Sequence, residues 1–262
     1  MTSNVHSHPQ AERRVLLFTK PSVPGRVKTR LIGELTPRQS AALHSAFLAD
    51  LLARLRRGAF GLQVAWALEA GEAPPKVGIP AVTQRGGDLG ERLYSALDDA
   101  SRECPTVAAI GSDAPELEVA TVERAFRLLE NGADAVLGPC ADGGYYLIAL
   151  SRRAVDRRLF EGVSWSTEDV FQQTLDRCRR LDLTVATLPT GHDVDVVADL
   201  DALARRLEER RSFCPRTRRL LVSLGRLRDP EAANADETQR PASASDADPV
   251  GAEETAAEGG AG

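Results

Sequence analysis

The stretch from Lys20 to Arg30 holds four cations, Lys20, Arg26, Lys28 and Arg30, in a connection that Pro21, Pro24 and Gly25 stiffen and bend. Ammonium and guanidinium groups at this density suit a phosphate chain, whose oxygens accept from Lys as a point charge and from Arg as a fork. The spacing G-x-x-x-x-G-K-[ST] is absent, so this is not a Walker A loop. Its plain alternative is a solvated basic turn. Further on, Gly111-Ser112-Asp113-Ala114-Pro115 offers a hard oxygen ligand on a turn that the proline fixes, or else the cap of the next helix. His192-Asp193-Val194-Asp195 adds two more carboxylates, of which Asp195 is expected to join Asp113. Magnesium takes one or two protein carboxylates and completes its shell with water and phosphate, a need that Asp113 plus Asp195 would meet. His192 reads as a neighbour, because imidazole is not a ligand of choice for magnesium.

Three other segments offer binding groups. In Ala141-Asp142-Gly143-Gly144-Tyr145-Tyr146 the paired glycines let backbone approach a ligand closely, and Asp142 could bind a hydroxyl or a cation; a plain turn is the alternative. Gln84-Arg85-Gly86-Gly87-Asp88-Leu89-Gly90 supplies amide and backbone groups suited to a nucleobase, or a loop that ends in a helix start. Trp165-Ser166-Thr167 could line an acceptor pocket, although a buried Trp beside a capped helix is equally ordinary.

Such residues need a frame. Val15 to Thr19 is an apolar run without alternation, as expected of a strand covered on both faces. Thr36-Pro37-Arg38-Gln39 is a capping box with proline at the first helical position, and Leu43, Phe47, Leu51 and Leu55 mark one face of the helix it opens, expected to reach about Arg57. Strands are expected over 63–68, 79–83, 106–110, 133–137, 145–150 and 183–188. Helices are expected over 89–100, 119–129, from a cap at Ser166 to about 180, and 197–210. This alternation predicts an α/β protein with a doubly wound, mostly parallel sheet and helices on both faces, three layers in all. The carboxyl ends of such strands form the ligand crevice, into which the basic loop and Asp113 would point.

Four domain segments are expected: a disordered start over 1–12, the layered α/β domain over 13–211, a basic amphipathic helix over 212–228 and a disordered acidic tail over 229–262. His6 and His8 read as solvated bystanders. The helix carries Leu220, Leu221, Leu224 and Leu227 among five arginines. It reads as a docked terminal helix, with a membrane-surface or partner helix as the alternative. The tail holds nine acidic side chains against Arg240, a charge of −8, which leaves residues 1–228 at +3 of the total −5. A mildly basic body fits an anionic small substrate and is too scattered for a nucleic-acid surface. Apolar runs fall far short of the ~20 residues a membrane span needs. Cys104, Cys140, Cys178 and Cys214 form no CxxC pair, and with no apolar leader they read as reduced thiols in a cytoplasm.

In their order along the chain, Lys20-Pro21-x-x-Pro24-Gly25-x-x-Lys28-Thr29-Arg30-Leu31, Asp88-Leu89-Gly90-x-Arg92, Gly111-Ser112-Asp113-x-Pro115, Asp142-Gly143-Gly144-Tyr145-Tyr146, Trp165-Ser166-Thr167 and Asp193-x-Asp195 resemble the domain of unknown function 2064 family, over about residues 14–207. The resemblance implies the GT-A fold of the nucleotide-diphospho-sugar transferase superfamily, and the motifs are similar to those of phospholactate and molybdenum-cofactor guanylyltransferases. It implies Lys28 as the main triphosphate contact with Arg26 and Arg30 nearby, and Asp113 and Asp195 as ligands of Mg2+ or Mn2+. The first loop, often glycine-rich in that family, here has one glycine and two prolines. The activity so implied is a nucleotidyltransferase that joins an NTP-derived nucleotide to a phosphorylated small molecule and releases pyrophosphate. The alternatives are a glycosyltransferase using a nucleotide sugar and a non-catalytic nucleotide-binding module. The sequence leaves the nucleobase, the acceptor and the oligomeric state open.

Overall fold

In the computed structural model, which describes residues 12–228, Val15, Leu16 and Leu17 are each at most 1% exposed, as a strand covered on both faces requires. They form the middle of β1 (Arg13–Thr19), which pairs in parallel with β2 (Gly61–Trp66) and with β4 (Thr106–Gly111). The short β3 (Ala81–Thr83) extends β2, and β5 (Ala135–Pro139), β6 (Tyr145–Ser151) and β7 (Val185–Thr187) complete a seven-stranded sheet. Its order is β3-β2-β1-β4-β6-β5-β7. All pairings are parallel except those of β6, which runs antiparallel to β4 and β5. The reason is length: residues 140–144 are too few for a crossover, so β5 and β6 form a hairpin.

The helices are α1 (Pro37–Leu55), α2 (Leu89–Glu103), α3 (Val119–Glu130), α4 (Val170–Arg180), α5 (Val197–Glu209) and α6 (Pro215–Ser223). The capping box is present: Gln39 N donates to Thr36 Oγ1 at 3.3 Å and Thr36 N donates to Gln39 Oε1 at 2.8 Å. On one face of the sheet Leu51, Leu55, Val122 and Phe126 from α1 and α3 pack on Val15, Leu17 and Val64. On the other, Leu93 and Leu97 from α2 and Cys178 from α4 pack on Leu16, Ala109 and Ile148. The three-layer α/β/α architecture expected from the alternation is therefore present.

A third apolar cluster joins Leu43 and Phe47 of α1 to Leu203 and Leu207 of α5 and Leu221 of α6. Polar contacts seat α6 as well. The fully buried Asp50 carboxylate accepts from the amides of Arg216 and Thr217 at 3.1 and 2.8 Å and from Thr217 Oγ1 at 2.8 Å. The acid on α1 thus caps the start of α6. The described residues up to Leu227, from Glu12 on, form one compact unit. No helix among the described residues is long and apolar enough to cross a membrane. The expectations for residues 1–11, with His6 and His8, and for 229–262 lie outside the described residues.

One boundary differs in kind. The helix expected from Ser166 starts at Val170 after Asp169, because Ser166 is left-handed at φ 65° and Thr167 Oγ1 donates to Ser164 O at 2.7 Å, closing a turn first.

Candidate functional site

Sheet order reverses between β1 and β4, and the chain segments leaving their carboxyl ends diverge there, which opens a crevice. The basic loop leaves β1 at Thr19 and Asp113 follows β4. The third segment arrives from farther away. From β7 at the sheet edge the chain returns across the ends of β5 and β4, with Gly191 N donating to Pro139 O and Val194 N to Asp113 O at 2.8 and 2.9 Å. Asp199, in the first turn of α5, accepts at Oδ2 from the amides of Asp195 and Val196 at 3.0 and 2.9 Å. That carboxylate fixes the backbone that presents Asp195.

The three segments meet at Lys28, whose side chain is 3% exposed. Its Nζ lies 2.5 Å from Asp113 Oδ1, 3.1 Å from Asp195 Oδ1 and 2.6 Å from the carbonyl of Val194. The ammonium thus donates to two oxygens and is ion-paired with a third. Behind it, the ring of Phe47 lies 5.8 Å from Nζ. Lys28 itself is left-handed at φ 49°, a strain of about 1–3 kcal/mol that persists only where surroundings impose it. Arg30, largely exposed, reaches Asp195 Oδ2 at 3.6 Å.

A cavity of about 520 Å³ opens beside this centre, lined among others by Lys20, Arg26, Lys28, Arg30, Asp113 and Asp195. Gln84 and Ser166 line it too. The amide of Gln84 is oriented by donation to Ala65 O at 2.8 Å. Arg26 lines the cavity, yet its guanidinium is engaged by Glu69 and Glu72 at 2.9 and 3.1 Å. Those acids belong to the loop after β2, which no local pattern near residue 26 announces. Gly25, at φ 82°, serves the bend of the loop.

Other expected site residues face elsewhere. Gly86, Asp88 and Gly90 line a neighbouring cavity of about 630 Å³, and Asp88 caps α2 by accepting from Glu91 N at 2.8 Å. Gly90 is required by packing, since a Cβ there would meet Phe160 O at 2.6 Å and the Trp165 indole at 2.8 Å. Gly143, at φ 86°, makes room for the backbone of Glu168 rather than for a ligand: a Cβ would lie 2.0 Å from its carbonyl oxygen. Asp142 accepts from Gly144 N at 2.9 Å. Asp142, Cys140 and Asp193 place their ligand atoms within 4.8 Å of one another, a second group that could hold a metal. Burial first, then Asp142 and Asp195, push the Asp193 carboxyl up to about 6. Burial and the Asp193 charge push the Cys140 thiol up, so it stays protonated. A regular strand would present Asp193 and Asp195 on one face; this segment is irregular, and the two take different partners.

Sequence reasoning missed His44 and Thr19, and quoted Ser112, Leu89 and Arg92 within motifs without giving them a role; all five line the main cavity. His44, on α1 and 4% exposed, joins Ser22 at Nδ1 (2.8 Å) and both Thr19 and Ser112 at Nε2 (3.2 and 3.3 Å). It links the basic loop to the turn that carries Asp113. Burial, with Lys28 and Lys20 adding to it against Asp113, lowers its pKa to about 4, so the ring is neutral. The only signal in the sequence is a histidine three residues before Phe47, inside an apolar helix face. Arg92 donates through Nε to Gly86 O at 3.1 Å.

This mostly parallel α/β sheet with a crevice at its switch point is GT-A-like, as its similarity to a solved nucleotide-diphospho-sugar transferase shows. A candidate nucleotide-diphospho-sugar transferase from Desulfovibrio desulfuricans G20 shares it at TM-score 0.76, with 33% identity over 82% of this chain and 96% of that one. A cytidylyltransferase from Leptospira borgpetersenii serovar Hardjo-bovis (strain JB197) shares the fold alone, at TM-score 0.50 and 13% identity over 76% of this chain and 87% of that one. No curated protein matches the chain. Residues 41–167 match the family described as "Uncharacterized protein conserved in bacteria (DUF2064)", and the chain belongs to that family.

Proposed function

We propose that the protein is a divalent-metal-dependent nucleotidyltransferase. The observation that carries this reading is the convergence of Lys28, Asp113, Asp195 and the Val194 carbonyl at the mouth of a cavity large enough for a nucleotide. Hard oxygens that already converge on one cation are the donor set that Mg2+ or Mn2+ prefers, so Asp113 and Asp195 fit as its ligands. When bound there, such an ion supplies Lewis-acid neutralisation of phosphate charge.

In this reading the basic loop binds the triphosphate, with Lys20 and Arg30 in reach of the cavity and Arg92 facing them from α2. An oxygen of a phosphorylated or phosphonate-bearing acceptor attacks the α-phosphorus, and the bond from that phosphorus to the bridging oxygen breaks, releasing pyrophosphate. Phosphoryl chemistry of this kind depends on positioning and charge stabilisation more than on a protein nucleophile. Lys28 and Arg30 offset the charge that grows on the leaving group. Gln84 faces the base and Ser166 the acceptor side.

The test is product analysis with each nucleoside triphosphate and a panel of phosphorylated acceptors, with and without Mg2+. Pyrophosphate release is expected, and Lys28→Ala or Asp113→Asn is expected to lower it ~10²-fold or more. Undiminished turnover in purified Lys28→Ala would refute the assignment. The similarity to the Desulfovibrio nucleotide-diphospho-sugar transferase favours a second reading, glycosyl transfer from a nucleotide sugar. Release of free nucleoside diphosphate in place of pyrophosphate would identify it.

A further inference from the structure

We propose that Lys28 and a divalent cation hold the same oxygen cage in turn, so that the ammonium keeps metal out until a triphosphate draws it away. The inference rests on the nucleotidyltransferase reading and concerns the regulation of that same centre. Lys28 Nζ donates to Asp195 Oδ1 and the Val194 carbonyl at 3.1 and 2.6 Å and forms an ion pair with Asp113 Oδ1 at 2.5 Å. Held there, the ammonium faces these three oxygens rather than a phosphate. Two carboxylates brought this close to one point repel unless a cation lies between them, and the internal cation does so without leaving the chain. Phe47 backs the ammonium, and the left-handed backbone of Lys28 holds the side chain over the cage.

A metal that enters alone must therefore eject a buried ammonium and leave it without a counter-ion. With a triphosphate in the adjoining cavity, the ejected ammonium meets phosphate oxygens instead, beside Lys20 and Arg30. Metal and triphosphate then each raise the affinity of the other, by the same factor. Lys28 becomes a triphosphate contact only in that exchanged state, which reconciles its observed partners with its expected role.

The test is Mn2+ binding to the full chain, read by electron paramagnetic resonance without turnover. Mn2+ alone is expected to bind wild type weakly and Lys28→Met at least 10-fold more tightly, with Lys28→Gln as a second variant. Adding Asp113→Asn to Lys28→Met is expected to return binding to the wild-type level, whereas adding Asp142→Asn is expected to leave it tight. Inorganic tripolyphosphate is expected to raise Mn2+ affinity of wild type at least 10-fold and that of Lys28→Met less, an arm that needs no variant to fold for its first half. Equal Mn2+ affinity in wild type and both Lys28 variants, no effect of tripolyphosphate on wild type, or a site lost with Asp142→Asn and kept with Asp113→Asn would each overturn the exchange. Pyrophosphate release assayed separately tells this failure from failure of the functional reading: release without exchange retains the enzyme and discards the device, and exchange without release does the reverse.

Discussion

His44 carries no charge at neutral pH and still connects three parts of the site, so its pH dependence can be predicted with its sign. Its pKa of about 4 lies below the ordinary 6.5, with burial as the main cause. Between those values the unfolded chain binds a proton that the folded chain does not, so the contribution is complete above pH 6.5 and falls as pH drops toward 4. The full loss corresponds to about 3 kcal/mol. His44→Gln retains hydrogen bonding without titrating, so its stability, measured by urea unfolding, should decline less than wild type over that window. Parallel declines would show that the ring does not carry this dependence. Gly143 poses the opposite case, a residue defined by space. Gly143→Ala would press a Cβ into the Glu168 carbonyl at a positive φ, so the 164–169 loop must shift at a cost of about 1–3 kcal/mol. Since Ser166 lines the cavity from that loop, weaker nucleotide binding should accompany lower amide protection at the start of α4.

At the scale of elements, the contact between α1 and α6 matters most for the site. α1 carries His44 toward the cavity, Phe47 to the Lys28 ammonium and, one or two turns on, Asp50 toward α6. Asp50→Ala removes the acceptor of two backbone amides and a hydroxyl in a buried setting, which should cost roughly 3 kcal/mol. Hydrogen exchange should show α6 amides opening before the sheet does. If they stay as protected as in wild type, the apolar cluster alone seats the helix. The same packing explains why the five arginines of 213–228 do not make α6 a free basic helix: Arg218 is buried and Leu221 fully so. The hairpin of β5 and β6 has a similar logic, because a short connection forces the antiparallel strand that separates β4 from β5.

For the molecule as a whole, a ligand that binds the crevice should stabilise every element that meets there. A nucleoside triphosphate with Mg2+ at 100-fold above its Kd should add about 2.7 kcal/mol, visible as a raised Tm, and the nucleotide with the largest rise names the base. No rise for any triphosphate or nucleotide sugar would argue that the crevice binds neither. The sequence by itself determined the layered α/β order, the capped α1, the buried β1 and the short list of cations and carboxylates, because helix and strand periodicities and turn residues are local and survive in one dimension. It also picked out Asp113 and Asp195, beside a strand end and a helix start, while the resemblance to a known family singled out Lys28 among the four cations of its loop. Only the tertiary structure decided that Lys28 lies between the two acids, that Arg26 is taken by Glu69 and Glu72, that Gly90 and Gly143 serve packing, and that His44 belongs to the site. Those facts depend on the path from β7 back across the sheet and on loops far apart in the chain, and contacts between segments separated by many residues leave no mark in local spacing.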